Sequence, residues 1–200
     1  MPTDTYKTIK APSEGYFIDK RSKFYAFAYP VETEDEIKEH LSVLKKQYHD
    51  ARHHVYAWIL GADKAQYRAN DDGEPAGSSA KPVYRELVSN DLTNILIVVV
   101  RYFGGIKLGI PGLINAYRTV AEYAIANAEI IEKAVEECFE IHFDYLIMYK
   151  VMKILKEEPV TIVSQKIDNQ YEIVIRVRRG DSNKIKNRLR QVSKSHLILF

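Results

Sequence analysis

The chain has 200 residues, 46% of them hydrophobic and 28% charged, with 9 glycines and 7 prolines. That excludes a disordered, collagen-like or linker-dominated chain and leaves room for one large or two small domains. The formal net charge of +2 excludes neither an acidic nor a basic partner, and a single cysteine excludes an internal disulfide framework and any multi-cysteine zinc or iron–sulfur site. One cysteine also fits a reducing compartment. The longest unbroken apolar run, Ile95 to Val100, is six residues, where a membrane helix needs about 20. The first ten residues carry neither an apolar core nor a small-residue cleavage site. The expectation is a soluble, cytoplasmic protein with no membrane partner.

In chain order, Tyr16 to Val31 alternates and is rich in aromatic and β-branched residues, which predicts one or two strands around Arg21-Ser22. Thr33-Glu34-Asp35-Glu36 is a capping box. The helix it opens carries Ile37, Leu41, Leu44 and Tyr48 on one stripe and ends near His49-Asp50. His53 to Leu60 reads as a strand, and Asn70 to Pro82 as a loop followed by a short helix through Glu86 and Leu87. Ile95 to Arg101 reads as a strand, and its continuous apolar run with five β-branched residues is what a strand buried on both faces requires. A glycine-rich turn then opens a helix with Pro111 in its first turn and Leu113, Tyr117, Val120, Ala121 and Ala124 as its buried stripe.

After Ile131 the texture changes. Phe139, Ile141 and Phe143 alternate as a strand, and Asp144 can cap a helix carrying Met148, Met152 and Leu155. Pro159 to Ile167 and Tyr171 to Val177 are strands joined at Asp168-Asn169. Ile185, Leu189 and Val192 mark a second helix, and His196 to Phe200 a closing strand. The order β-α-β-β-α-β is the ferredoxin-like arrangement. The expected domains are 1–132 and 133–200, in an α+β protein.

Charge divides along the same line. Residues 1–132 hold 16 basic against 18 acidic residues, and residues 133–200 hold 13 against 9. Between Arg176 and Lys194, eight basic residues face one acid, Asp181. Arg176 and Arg178 share a strand face, Lys184 and Arg188 one helical face, and Lys186 and Arg190 the next. Such a set can grip a phosphate backbone, or simply form a solvated amphipathic face.

Two loops carry candidate chemistry. Asp71, Asp72 and Glu74 place three carboxylates within four residues, which suits a hard cation or a proton donor, or an Asp-Gly turn bonding its own backbone. Gly104, Gly105, Lys107 and Gly109 form a glycine-rich loop before a helix N-terminus, either an anion seat or a tight strand-to-helix connection. It matches neither the P-loop nor the dinucleotide pattern. His53 and His54 point to opposite faces of a strand, which disfavours a metal site, and Cys138, beside Glu137 and Glu140, lacks an activating neighbour. No cofactor is expected.

Taken together, DDGEPAGSSAKP and VVVRYFGGIKLGIPGLINAY resemble the signature of the IMPACT/YigZ family, in which an acidic loop precedes a Val-rich strand ending Arg-Tyr-Phe-Gly-Gly. Arg21 to Phe24 and the stretch Ala51 to Ala57 match its earlier landmarks, and the resemblance spans essentially all 200 residues. Where the family commonly has a glycine pair and then Leu-x-Arg-Ala-Tyr, this chain has Pro111-Gly112 and Asn115. The resemblance implies an N-terminal α/β sandwich like that of ribosomal proteins and elongation factor G domain IV, and a C-terminal domain like domain V of that factor. It also implies translation control. Eukaryotic relatives act through the general amino-acid-control kinase pathway with an additional domain beyond these 200 residues.

The leading expectation is a non-enzymatic RNA- or ribosome-binding protein in translation regulation, with a protein partner in that process also open. Arg21, Lys23, Lys81, Arg101, Lys107 and the glycine-loop backbone would hold phosphate, extended by Arg176, Arg178, Lys184, Arg188 and Arg190. One alternative is a hydrolase or transferase for a phosphorylated small molecule using Asp71, Asp72 and Glu74. Another is a protein-interaction module.

Overall fold

The computed structural model describes residues 4–167, 170–192 and 197–199. The chain divides into two compact units, residues 6–133 and the described residues from Ala134 onward with Asp4 and Thr5. In the first unit the elements are β1 (Thr5–Ile9), β2 (Ser13–Asp19), β3 (Ser22–Pro30), α1 (Glu34–Gln47), β4 (His53–Leu60), β5 (Gln66–Asn70), α2 (Ala80–Ser89), β6 (Ile95–Tyr102), α3 (Gly109–Ala126) and β7 (Ile130–Ala134). β1 pairs with β7, and the other strands form a five-stranded antiparallel sheet in the order β2-β3-β6-β4-β5.

The apolar run of β6 explains its central place. Ile95, Ile97 and Val99 pack with α2 and α3, while Leu96, Val98 and Val100 pack with Ile37 and Leu44 of α1. All six are fully buried, each contributing about 1.5–3 kcal/mol relative to exposure. The Thr33 capping box forms as the sequence predicts, with Thr33 Oγ1 accepting from Glu36 N–H at 3.2 Å. β2 and β3 join through Lys20 and Arg21, both at positive φ (42° and 66°), the conformation a two-residue hairpin turn requires. Pro82 lies in the first turn of α2, where its missing N–H costs little. β1, β5 and β7 are not evident in the sequence; β5 is an exposed edge strand with no apolar face, so only its pairing with β4 defines it.

The second unit runs β8 (Glu136–Phe143), a 3₁₀ turn (Tyr145–Ile147), α4 (Met148–Glu157), β9 (Val160–Ile167), β10 (Tyr171–Arg178), α5 (Arg179–Val192) and β11 (Leu197–Leu199). The sheet order β11-β8-β10-β9 completes the ferredoxin-like arrangement. Its core joins Phe139, Ile141 and Phe143 to Val151 and Leu155 of α4 and to Ile185 and Leu189 of α5. Asp144 does not cap α4. The 3₁₀ turn intervenes, and its carboxylate accepts from Gln170 Nε2 at 3.3 Å. The expected turn residues Asp168 and Asn169, and the expected strand ends His196 and Phe200, lie outside the described residues. No helix among the described residues is long and apolar enough to cross a membrane.

Candidate functional site

Arg101 ends the buried part of β6 on the α2/α3 side of the sheet, flanked across the strands by Phe24 on β3 and His53 on β4. It is 6% exposed. Its Nη1 donates to Glu74 Oε1 at 2.5 Å, and the same oxygen accepts from the Tyr117 hydroxyl at 2.8 Å. The guanidinium also stands 5.5 Å from the Phe24 ring centre and 5.7 Å from that of Phe103, within cation–π range. Burial, reinforced by the Glu74 charge, pushes the Tyr117 phenol far above its ordinary value. Among the described residues the Arg101 Nε has no hydrogen-bond partner.

The acidic loop does not converge on one ion. Asp71 accepts from Gly77 N–H and Ala80 N–H (both 2.8 Å), Ser79 Oγ (2.5 Å) and Ser79 N–H (3.3 Å), so it caps α2 from nine residues upstream. Burial raises its carboxyl, but these hydrogen bonds outweigh burial and hold it below the ordinary value. Asp72 Oδ2 accepts from His54 N–H at 2.6 Å. Glu74 alone turns inward to Arg101. Among the described residues no three His, Cys, Asp or Glu side chains are grouped to hold a metal. Asp71 and Asp72 bond to backbone, as in a turn, while Glu74 pairs with Arg101 at the end of β6 and with Tyr117 of α3.

That loop is fixed by its backbone. A Cβ on Gly104 would lie 2.1 Å from the Arg21 carbonyl carbon, so only glycine admits the crossing, and the Gly104 N–H donates to Ser22 Oγ at 3.1 Å. Gly105 sits at φ +85°. Beyond it, α3 opens at Gly109 with no side-chain cap, leaving N–H groups at the positive end of an 18-residue helix.

An open cleft of about 390 Å³ results. Arg52, Arg101 and Lys107 supply its cations, with Glu74 and His53 as its other ionisable groups. Phe103, Leu108 and Ile110 supply apolar wall. A neighbouring recess of about 480 Å³ shares Phe103 and adds Arg21, Lys23, Tyr25, Tyr48 and Tyr102. The Tyr102 hydroxyl donates to Asp50 at 2.6 Å, and this bond, with burial, pushes the phenol up to about 12. Phe103, 52% exposed, stands in the wall of both recesses.

The structure therefore brings Arg101, Lys107 and Gly109 to one recess and Arg21 and Lys23 to the next, with Gly104 and Gly105 shaping the loop beside them. Lys81 sits exposed in the first turn of α2 and lines neither recess. At Asn115, the side-chain oxygen accepts from Arg118 one turn later at 3.0 Å. In the second unit the basic residues meet acids of their own unit. Arg176 faces Glu136 (3.8 Å), Arg178 Asp4 (2.5 Å), Lys184 Glu158 (2.9 Å), and Arg188 both Glu158 and Glu157 (2.5 and 2.6 Å). Arg190 is exposed.

Arg52, His53 and Phe103 were not among the sequence candidates for phosphate binding. Phe103 was open to recognition, since strand alternation puts it on the same side as Arg101. Arg52 stands just before β4, and no local pattern marks it.

The family model described as the Impact N-terminal domain matches residues 20–125. "IMPACT family member YvyE" of Bacillus subtilis is 33% identical over 76% of this chain and 70% of its own length. An IMPACT family member of Haemophilus influenzae is 29% identical over 90% of this chain and 88% of its own. A crystal structure of a protein described as hypothetical superposes with a TM-score of 0.79 at 26% identity, covering 99% of this chain and 97% of that one.

Proposed function

Because this chain belongs to the IMPACT family, we propose that it is a non-enzymatic RNA- or ribosome-binding protein of translation control that holds a single-stranded segment across the two recesses of residues 6–133. The observation that carries this reading is the exposed Phe103 between two basic recesses. Cations that neutralise phosphate, alternating with aromatic rings that accept a base, are what a single strand requires. Lys107, Arg52 and the α3 N-terminus take phosphate on one side, and Arg21 and Lys23 on the other. Arg101 lines the first recess but is anchored by Glu74, so it orients the wall and offers only its remaining N–H groups. The paired cations of the second unit contribute less, because a phosphate must first displace a carboxylate.

The test is a salt series of equilibrium binding to ribosomal subunits and to single- and double-stranded RNA. Binding that falls with salt, with a logarithmic slope of about −2 to −3 for three or four neutralised phosphates on a single strand, supports the reading. The absence of binding at low salt overturns it.

A further inference from the structure

Apart from its apolar wall, the first recess is lined mainly by donors. Arg52, Arg101 and Lys107 donate, as do the free N–H groups opening α3. A phosphate offers acceptors alone and needs nothing else. Yet His53 presents an acceptor here. Its Nδ1 lies 2.8 Å from the Asp72 carbonyl oxygen. A carbonyl can only accept, so Nδ1 carries a proton, and whenever that is the ring's one proton Nε2 is a bare lone pair. No bond to Nε2 is made among the described residues, and Nε2 is not among the buried unpartnered atoms, so it is open to the cleft that His53 lines. The other acceptor of the wall, Glu74, is already engaged by Arg101 and Tyr117.

Arg101 fixes the neighbourhood of that lone pair. It pairs with His53 in the β4–β6 register, and its nine-tenths-buried guanidinium keeps Nη1 on Glu74 while Nη2 has no bond among the described residues. The recess thus places one acceptor beside a phosphate site, which is the complement of a hydroxyl close to a phosphate ester. In a nucleic acid that group is the ribose 2′-hydroxyl, the feature by which a protein tells RNA from DNA.

We propose that His53 Nε2 accepts a hydrogen bond from a ribose 2′-hydroxyl and makes the recess selective for RNA over DNA of the same sequence. This rests on the reading of the recesses as a single-strand site. Three labelled oligonucleotides of one sequence, as RNA, DNA and 2′-O-methyl RNA, are titrated by fluorescence anisotropy at about pH 8. The 2′-O-methyl strand keeps an RNA-like sugar but cannot donate.

The expected result is RNA bound roughly three- to tenfold more tightly than either other strand, the worth of one hydrogen bond. In His53→Asn, whose amide reaches the Asp72 carbonyl but not the Nε2 position, RNA weakens to the level of the other two. Equal affinity for all three strands in the unaltered protein overturns the inference and leaves the single-strand reading standing, as does 2′-O-methyl RNA bound like RNA. An unchanged RNA-to-DNA ratio in a folded His53→Asn does the same. Failure of all three to bind overturns both. The comparison of strands on the unaltered protein decides the matter even if the variant does not fold.

Discussion

The two units handle positive charge in opposite ways. In the second, the basic stretch that dominates the sequence is met by acids of the same unit, and Glu158 alone takes Lys184 and Arg188. In the first, which is balanced by count at 17 basic and 17 acidic residues, Arg52 and Lys107 line an open cleft, and Arg101 leaves its Nε unpaired among the described residues. What a ligand feels is unpaired charge in a concave, partly apolar site, and counting residues along the chain does not reveal it.

The sharpest way to break this contrast is to remove the anchor of Arg101. Glu74→Ala leaves a buried guanidinium without its carboxylate, and urea unfolding is expected to show a loss of about 3–5 kcal/mol. A near-neutral result would mean that the pair is not buried as described. Next, reversing both open cations, Arg52→Glu with Lys107→Glu, is expected to weaken RNA binding roughly a hundredfold, about 2.7 kcal/mol, with little change in unfolding. Phe103→Ala follows, with a loss of about 1–3 kcal/mol in binding to single strands and less to duplexes.

Asp71→Ala removes the cap of α2 and is expected to cost about 1–2 kcal/mol. The sign with pH follows from its lowered carboxyl. The Asp71 contribution is fully present above the unfolded value near 3.8 and is lost as pH falls through the lower folded value. The difference between wild type and Asp71→Ala in acid unfolding should therefore shrink below about pH 4. The smallest effect belongs to the second unit, where Arg190→Glu should change RNA affinity by less than about twofold. A large loss there would erase the contrast between the units.

Local signals were the legible ones. The Thr33-Glu36 capping box, the Leu113-Tyr117-Val120 stripe and the doubly buried run of β6 all lie within a few residues and follow from periodicity. The same holds for the opposite faces of His53 and His54. The Glu74–Arg101–Tyr117 cluster joins residues 27 and 43 positions apart, and no spacing rule reaches that far. β5 has the same opacity for another reason, since an exposed edge strand has no apolar side to announce it. The glycine loop was read as an anion seat or a connection. The structure shows the connection, with its backbone crossing at Arg21, and the anion seat belongs to the proposed single-strand site.

That crossing has a consequence for how the protein tolerates change. Gly104 packs directly on the Arg21-Ser22 main chain and is held there by its N–H bond to Ser22 Oγ, so the spacing from one recess to the other is set by a backbone approach. Replacing Phe103, Lys107 or Lys23 alters what is gripped and how tightly, while the ruler that sets the distance between grips stays untouched. Side chains around the ruler are therefore free to be retuned one at a time, by drift or by design, and a single added methyl at position 104 would move both grips at once.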